Sequence, residues 1–186
     1  MKQNENITMY VLRLAGTLLA ITMIVALCLA GVNAVTAPVI EELNAAKTQE
    51  AIAKVLPGGF DTEVTDFADA TGLVSKVYQG EAGYAIEVGP GGFDNTITMM
   101  VGVDNEGKVL GISIVSHTET AGLGAVAADS TPKGIAFREQ FAGASGSVAV
   151  SKDGGTMDAI TGATITSRAI CVGVNAALDC VAGLVK

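Results

Sequence analysis

The chain has 186 residues, 49% of them hydrophobic, and a net charge of −8. That length suits one ordinary domain with an appendage, and the mean hydropathy of +0.48 is high for a soluble domain. With only 16% of residues charged, the chain does not read as intrinsically disordered. Its acidic balance argues against nucleic-acid binding, which needs a basic footprint.

The apolar residues are concentrated near the N-terminus. From Leu14 to Ile40, between Arg13 and Glu41, no residue is charged. A bilayer core takes about 20 helical residues to cross. Leu14–Val35 supplies them, and Thr17 and Thr22 can bond back to helix carbonyls. Pro38 closes the run, where a helix leaving the membrane would kink or stop. Lys2 and Arg13 precede the span, and Glu41 and Glu42 follow it. The positive-inside rule then predicts a cytoplasmic N-terminus and an extracytoplasmic domain. The charge divides accordingly: residues 1–40 carry a net +1 and residues 41–186 a net −9. A cleaved signal peptide is the competing reading, with Val32-Asn33-Ala34 and Val35-Thr36-Ala37 as small-x-small sites. The apolar run exceeds the usual signal core of about 7–15 residues, which favours a retained anchor. The expected organisation is a cytoplasmic N-terminus at 1–13, a transmembrane helix at 14–37, a juxtamembrane helix or stalk at 38–59, and a folded domain at 60–186.

Val39–Leu56 has helical composition and ends before Pro57-Gly58-Gly59. Leu73–Tyr78 and Tyr84–Val88 are short alternating runs that read as strands. Thr96–Val103 and Lys108–Ser116 flank Asp104-Asn105-Glu106-Gly107, a good hairpin turn. Val148–Val150 reads as another short strand, Gly134–Phe141 as a short helix, and Ser167–Val185 as a long final one. In that last helix Ile170, Val174, Leu178, Val181 and Val185 form an apolar stripe. Strands followed by helices, without strict alternation, predict an α+β fold with a mostly antiparallel sheet. Cys171 and Cys180 lie two and a half turns apart on this helix, about 13 Å along its axis, too far for a disulfide.

The segment with chemical character is Asp158-Ala159-Ile160-Thr161-Gly162-Ala163-Thr164-Ile165-Thr166-Ser167-Arg168. It clusters hydroxyls around two small residues just before the final helix. Small residues let a bulky group approach the backbone. The free N–H groups of a helix N-terminus suit a phosphate, and Arg168 offers a charge-assisted contact. The plainer reading is that Thr161, Thr166 or Ser167 caps the helix. No catalytic triad or metal-ligand pattern is evident. Gly89-Pro90-Gly91-Gly92 lacks the strand and helix context of a dinucleotide site and reads as a loop.

Asp158, Thr161, Gly162, Ala163 and Thr164 resemble the flavin-attachment motif D-x-x-[ST]-G-A-[TS] of the FMN-binding domain family. A second stretch, His117-Thr118-Glu119-Thr120-Ala121-Gly122-Leu123-Gly124, resembles that family's H-x-E-T-P-G-L-G element, with Ala121 in place of its Pro. The resemblance implies FMN joined by a phosphoester to Thr164 and installed by a separate Mg²⁺-dependent flavin transferase. Asp158, Thr161, Gly162 and Ala163 would complete the transferase motif. His117, Glu119, Thr120, Gly122 and Leu123 would help form the flavin pocket. A tether of this kind keeps an extracytoplasmic flavin from being lost. The pairing of one span with one FMN domain is most similar to the G subunit of the Rnf ion-translocating ferredoxin:NAD⁺ oxidoreductase. That implies an electron relay that works with other membrane subunits of such a complex. The related C subunit of the Na⁺-pumping NADH:quinone reductase, another membrane-anchored FMN reductase, and a tethered structural module without flavin are the alternatives. Ring packing would fall to Leu123, a methionine, or a few Phe and Tyr residues, with Phe93, Phe137 and Phe141 reading as core.

Overall fold

The computed structural model describes residues 2–185, with side chains from Met9 to Val185. The chain divides into two compact units, Met1–Ala46 and Lys47–Lys186. Helix α1 (Lys2–Val55) begins in the first and ends in the second. In the first unit, the large apolar side chains from Met9 to Leu43 are all more than half exposed. A helix that is apolar on every face needs an apolar surrounding. By length and hydropathy it is a candidate membrane span. The helix does not stop at Pro38, which sits inside it. A proline removes one intrahelical hydrogen bond, and strong helix formers on both sides (Ala34, Ala37, Glu41, Glu42, Leu43) carry the helix past it.

The second unit is built on a five-stranded antiparallel meander in simple chain order: β1 (Thr62–Val64), β2 (Val74–Gly80), β3 (Gly83–Val88), β4 (Thr98–Asp104) and β5 (Val109–Ser116). The β4–β5 turn follows from its residues. The Asp104 carboxylate accepts the N–H groups of Glu106 and Lys108, each at 2.8 Å. Gly107 adopts φ +80°, a conformation that costs glycine little. The β3–β4 connection is a longer loop. It is closed by Gly92 N–H on Asn95 O at 2.7 Å and Ile97 N–H on Pro90 O at 2.9 Å.

Both faces of the central strands are covered. Tyr84, Ile86 and Val88 of β3 and Met99, Val101 and Val103 of β4 point into the larger core. They meet α2 (Pro132–Glu139), Phe141 beyond its end, and the long final helix α3 (Thr164–Leu184). The intervening residues Ala85 and Met100 face the other way, onto Ala51, Ile52, Val55 and Leu56 at the end of α1. That helix end lies so close to the sheet that a Cβ on Gly102 would collide with the Val55 carbonyl. Helix α3 buries Ile170, Val174, Leu178 and Val181. Each such side chain contributes roughly 1.5–3 kcal/mol on burial. The helix that carries the hydroxyl-rich motif is therefore anchored on the larger core.

The structure departs from the sequence reading at several points. Val148–Val150 is not a strand: only Val150 pairs, in a single parallel bridge to Met157. β1 is an addition. Val185 falls off the apolar stripe, being 51% exposed. Helix α3 starts at Thr164 rather than Ser167, and this shift bears directly on the site.

Candidate functional site

Because α3 begins at Thr164, its N-cap is Ala163, which has no side-chain group to cap the first turn. Neither Thr161, Thr166 nor Ser167 fills that role. The Ser167 hydroxyl instead fastens the preceding loop. It donates to Ala163 O at 2.9 Å and accepts Ile160 N–H at 3.0 Å. Ala163 N–H returns to Ile160 O at 2.9 Å, and Gly162 turns the chain at φ +80°. The Thr161-Gly162-Ala163 loop is thus set rigidly against a helix start whose first N–H groups lack a side-chain partner. Such a terminus favours an anion.

A pocket of about 310 Å³ opens over this helix start. Its walls come from four places: Phe93 in the β3–β4 loop, Glu119, Thr120, Leu123 and Gly124, Lys152, and Gly162 to Thr166. Lys152 lies on a short 3-10 turn, Ser151–Asp153. Its Nζ donates to Thr164 Oγ1 at 3.4 Å. Three apolar side chains on the pocket wall remain open to solvent: Phe93 at 65%, Ile165 at 51% and Leu123 at 42% exposure.

Glu119 holds these parts together. It is buried, and its two carboxylate oxygens serve different segments. Oε1 accepts Phe93 N–H at 2.8 Å and Oε2 accepts the Thr166 hydroxyl at 2.5 Å. Its own N–H donates to His117 Nδ1 at 3.2 Å. The carboxylate fits because Gly124 and Gly92 leave space for it; a Cβ on either would strike a Glu119 oxygen. One buried carboxylate therefore ties the β3–β4 loop, the 117–124 segment and the first turn of α3 to each other.

The structure brings Thr164, Gly162, Ala163, Glu119, Thr120 and Leu123 into one pocket. It places His117 behind Glu119, away from the pocket lining. Gly122, Asp158 and Thr161 line an adjoining groove of about 550 Å³. Asp158 and Thr161 also share a smaller one, about 290 Å³, with Lys152 and Thr164. The Asp158 side chain is exposed, while its backbone is pinned by Gln140, which accepts its N–H at 2.7 Å. Arg168 does not reach the pocket. It makes a bidentate pair with Asp153, Nε to Oδ2 and Nη2 to Oδ1, both at 2.6 Å. That pairing holds the Asp153 carboxyl below the usual carboxylate range and raises Arg168 above its own.

Three contributors escape the sequence reading. Phe93 is on the pocket wall and not in the core, unlike Phe137 and Phe141, which are buried. Lys152 lies outside both motifs, and Ile165, although inside the hydroxyl-rich segment, occupies no motif position. Burial also raises the Cys171 thiol to about 11, and it and Cys180 are unpaired and buried in α3.

Comparison with known proteins gives the family. The FMN-binding domain family matches residues 92–179, which spans Phe93, Glu119, Lys152 and Thr164. The G subunit of the Na⁺-translocating ferredoxin:NAD⁺ oxidoreductase complex of Acetobacterium woodii is 32% identical, over 95% of this chain and 94% of its own. This chain belongs to the G-subunit family of FMN-binding proteins. Two further relatives are also named as G subunits. The G subunit of the ion-translocating oxidoreductase complex of Methanosarcina acetivorans is 29% identical over 88% of this chain and 90% of its own. Its counterpart in the proton-translocating ferredoxin:NAD⁺ oxidoreductase complex of Clostridium ljungdahlii is 38% identical over 52% and 51%.

The residues fit the family's cofactor. An uncapped helix start and Lys152 suit the phosphate end of FMN. The solvent-exposed faces of Phe93, Leu123 and Ile165 suit the apolar ring end, and the pocket lies at the lower edge of the usual ligand range of about 300–1,000 Å³.

Proposed function

We propose that this chain is the FMN-carrying electron-transfer subunit of an ion-translocating ferredoxin:NAD⁺ oxidoreductase complex, with the flavin phosphate esterified to Thr164. The observation that carries this reading is the position of Thr164. It is the first residue of α3, half-buried on the rim of the pocket, with an ammonium beside its hydroxyl. A phosphate joined there would meet the uncapped first turn of the helix.

Bound FMN would supply reversible one- and two-electron redox chemistry. The chain's part is to hold and shield it. Thr164 fixes the phosphate end, Phe93, Leu123 and Ile165 exclude water from the ring end, and Glu119 keeps these walls in register. Asp158 and Thr161 line the adjoining grooves, the smaller of which they share with Lys152 and Thr164. We assign Asp158 and Thr161, with Gly162 and Ala163, to recognition by a flavin transferase. Gly122 and His117 shape the backbone behind the pocket. Arg168 acts through Asp153 and not on the phosphate.

The apolar α1 supports a single-pass anchor at 14–37 with a short cytoplasmic N-terminus at 1–13. The acidic domain then lies outside, with residues 38–59 joining it to the membrane and 60–186 forming the flavin domain. The partners are the other membrane subunits of the complex. The test is coexpression with a flavin transferase, followed by a denaturing gel viewed under ultraviolet light. Wild type gives a fluorescent band that survives denaturation, and Thr164→Val does not. Equal bands in both would refute attachment at Thr164. No band in either, with an active transferase, would indicate a flavin-free module.

A further inference from the structure

Lys152 is the one basic side chain among those lining the pocket. The domain around it is acidic, so an anion arriving at Thr164 needs a local cation. Glu119, the pocket's one acidic side chain, is turned to Phe93 N–H and the Thr166 hydroxyl and makes no ion pair with Lys152. Asp153, the residue next to Lys152, is also engaged. Arg168 binds both of its carboxylate oxygens. Asp158 shares the smaller groove with Lys152, but among the described residues no carboxylate forms a salt bridge with Lys152, and its ammonium faces Thr164 Oγ1, at 3.4 Å.

The same ion pair fixes where Lys152 sits. Arg168 is one turn along α3 from Thr164. Its bond to Asp153 fastens the Ser151–Asp153 turn to the helix that bears the attachment hydroxyl. Gly154, in the left-handed region at φ +86°, closes that turn. A free surface lysine loses rotamer entropy when it is ordered on a ligand. Anchoring its backbone this close to the target reduces what remains to be ordered.

We propose that Lys152 is the phosphate-pairing residue of this site and that Asp153–Arg168 is the strut that positions it. This rests on the reading that Thr164 bears the flavin phosphate. The Lys152 ammonium donates to a non-bridging phosphate oxygen, opposite the N–H groups of the first turn of α3. Arg168, which the sequence suggested as the phosphate ligand, acts at one remove.

The experiment uses the full chain coexpressed with a flavin transferase, as wild type and as Lys152→Gln, Lys152→Arg, Asp153→Asn and Thr164→Val. Intact mass reports how much protein carries one flavin phosphoester, and ³¹P NMR of the loaded protein reports the phosphate's surroundings. Lys152→Gln is expected to fold normally by circular dichroism. Its phosphate resonance moves, or its loading rate falls by about tenfold, the loss of one charge-assisted contact. Lys152→Arg restores most of the effect, and Asp153→Asn moves the resonance in the same direction by less. A folded Lys152→Gln protein with wild-type loading and an unmoved resonance overturns the proposal while leaving Thr164 intact. Wild-type flavin content in Thr164→Val overturns the attachment reading itself, and the proposal with it.

Discussion

Glu119 and Thr166, 47 positions apart in the chain, share a 2.5 Å hydrogen bond in a place where both are almost fully buried. The other carboxylate oxygen accepts Phe93 N–H. The carboxylate is a tie between pocket walls. Removing it leaves a half-buried N–H and a buried hydroxyl without their partner, the hydroxyl alone costing about 1–3 kcal/mol. Glu119→Ala should therefore lower stability by roughly 2–4 kcal/mol and loosen bound flavin. Glu119→Gln keeps one carbonyl acceptor and should fall between. Thermal melts by circular dichroism, with flavin anisotropy on the loaded protein, check this. An Ala variant with the wild-type melt would show that the tie carries no weight.

That relationship also marks where sequence reading ends. The α3 stripe was legible because Ile170, Val174, Leu178 and Val181 recur at the helical period. The β4–β5 turn was legible because Asp104 and Gly107 make it locally. Thr164 was legible through a resemblance, yet its structural setting depended on where the helix starts. Ala163 is a poor cap by composition, so the hydroxyls nearby suggested a later start. Burial of Ser167, with its bond to Ala163 O, decides the matter and is a tertiary fact. β1 is three residues with only Val64 partly buried, too weak a pattern to read. Phe93 and Lys152 reach the site through loops whose course depends on contacts distant in sequence.

The Asp153–Arg168 strut predicts a pH dependence confined to the acid side. Because pairing depresses the folded-state pKa of Asp153, its stabilisation is fully present above the ordinary value of about 3.9. It is lost as pH falls through the lower folded value. Both side chains are partly exposed, so the effect should be local and weakened by salt. Amide exchange in the Ser151–Gly155 turn should accelerate below about pH 4 relative to the chemical rate. In Asp153→Asn that acid step should vanish and the turn should exchange faster at neutral pH. An unchanged step in the variant would assign it to another group.

The α3 cysteines should be chemically quiet. Burial raises Cys171 to about 11, so very little thiolate exists at neutral pH, and Cys180 is raised in the same direction. In a Cys28→Ser background, iodoacetamide should label neither until the domain is unfolded. The same shift has a consequence at high pH. An unfolded thiol ionises near about 8.5 while the folded one stays protonated, so stability declines as pH rises from there toward the folded value. Cys171→Ala should reduce that alkaline decline. Rapid labelling of the native protein would mean that α3 opens locally.

Three phenylalanines divide by environment. Phe137 and Phe141 are buried against each other at a centroid distance of 5.5 Å, and replacing either by Ala should cost about 3–5 kcal/mol through lost burial and a cavity. Phe93 is 65% exposed on the pocket wall, so Phe93→Ala should change stability by only about 0.5 kcal/mol. Its cost should appear in the loaded protein instead. Phe93 and Leu123 cover apolar surface only when a ring lies against them, and covering it removes water from both partners. Phe93→Ala and Leu123→Ala should each leave the melt of the unloaded chain nearly unchanged but increase iodide quenching of flavin fluorescence. A variant that quenches like wild type places the ring elsewhere. A large loss of stability in the unloaded chain would instead return Phe93 to the core.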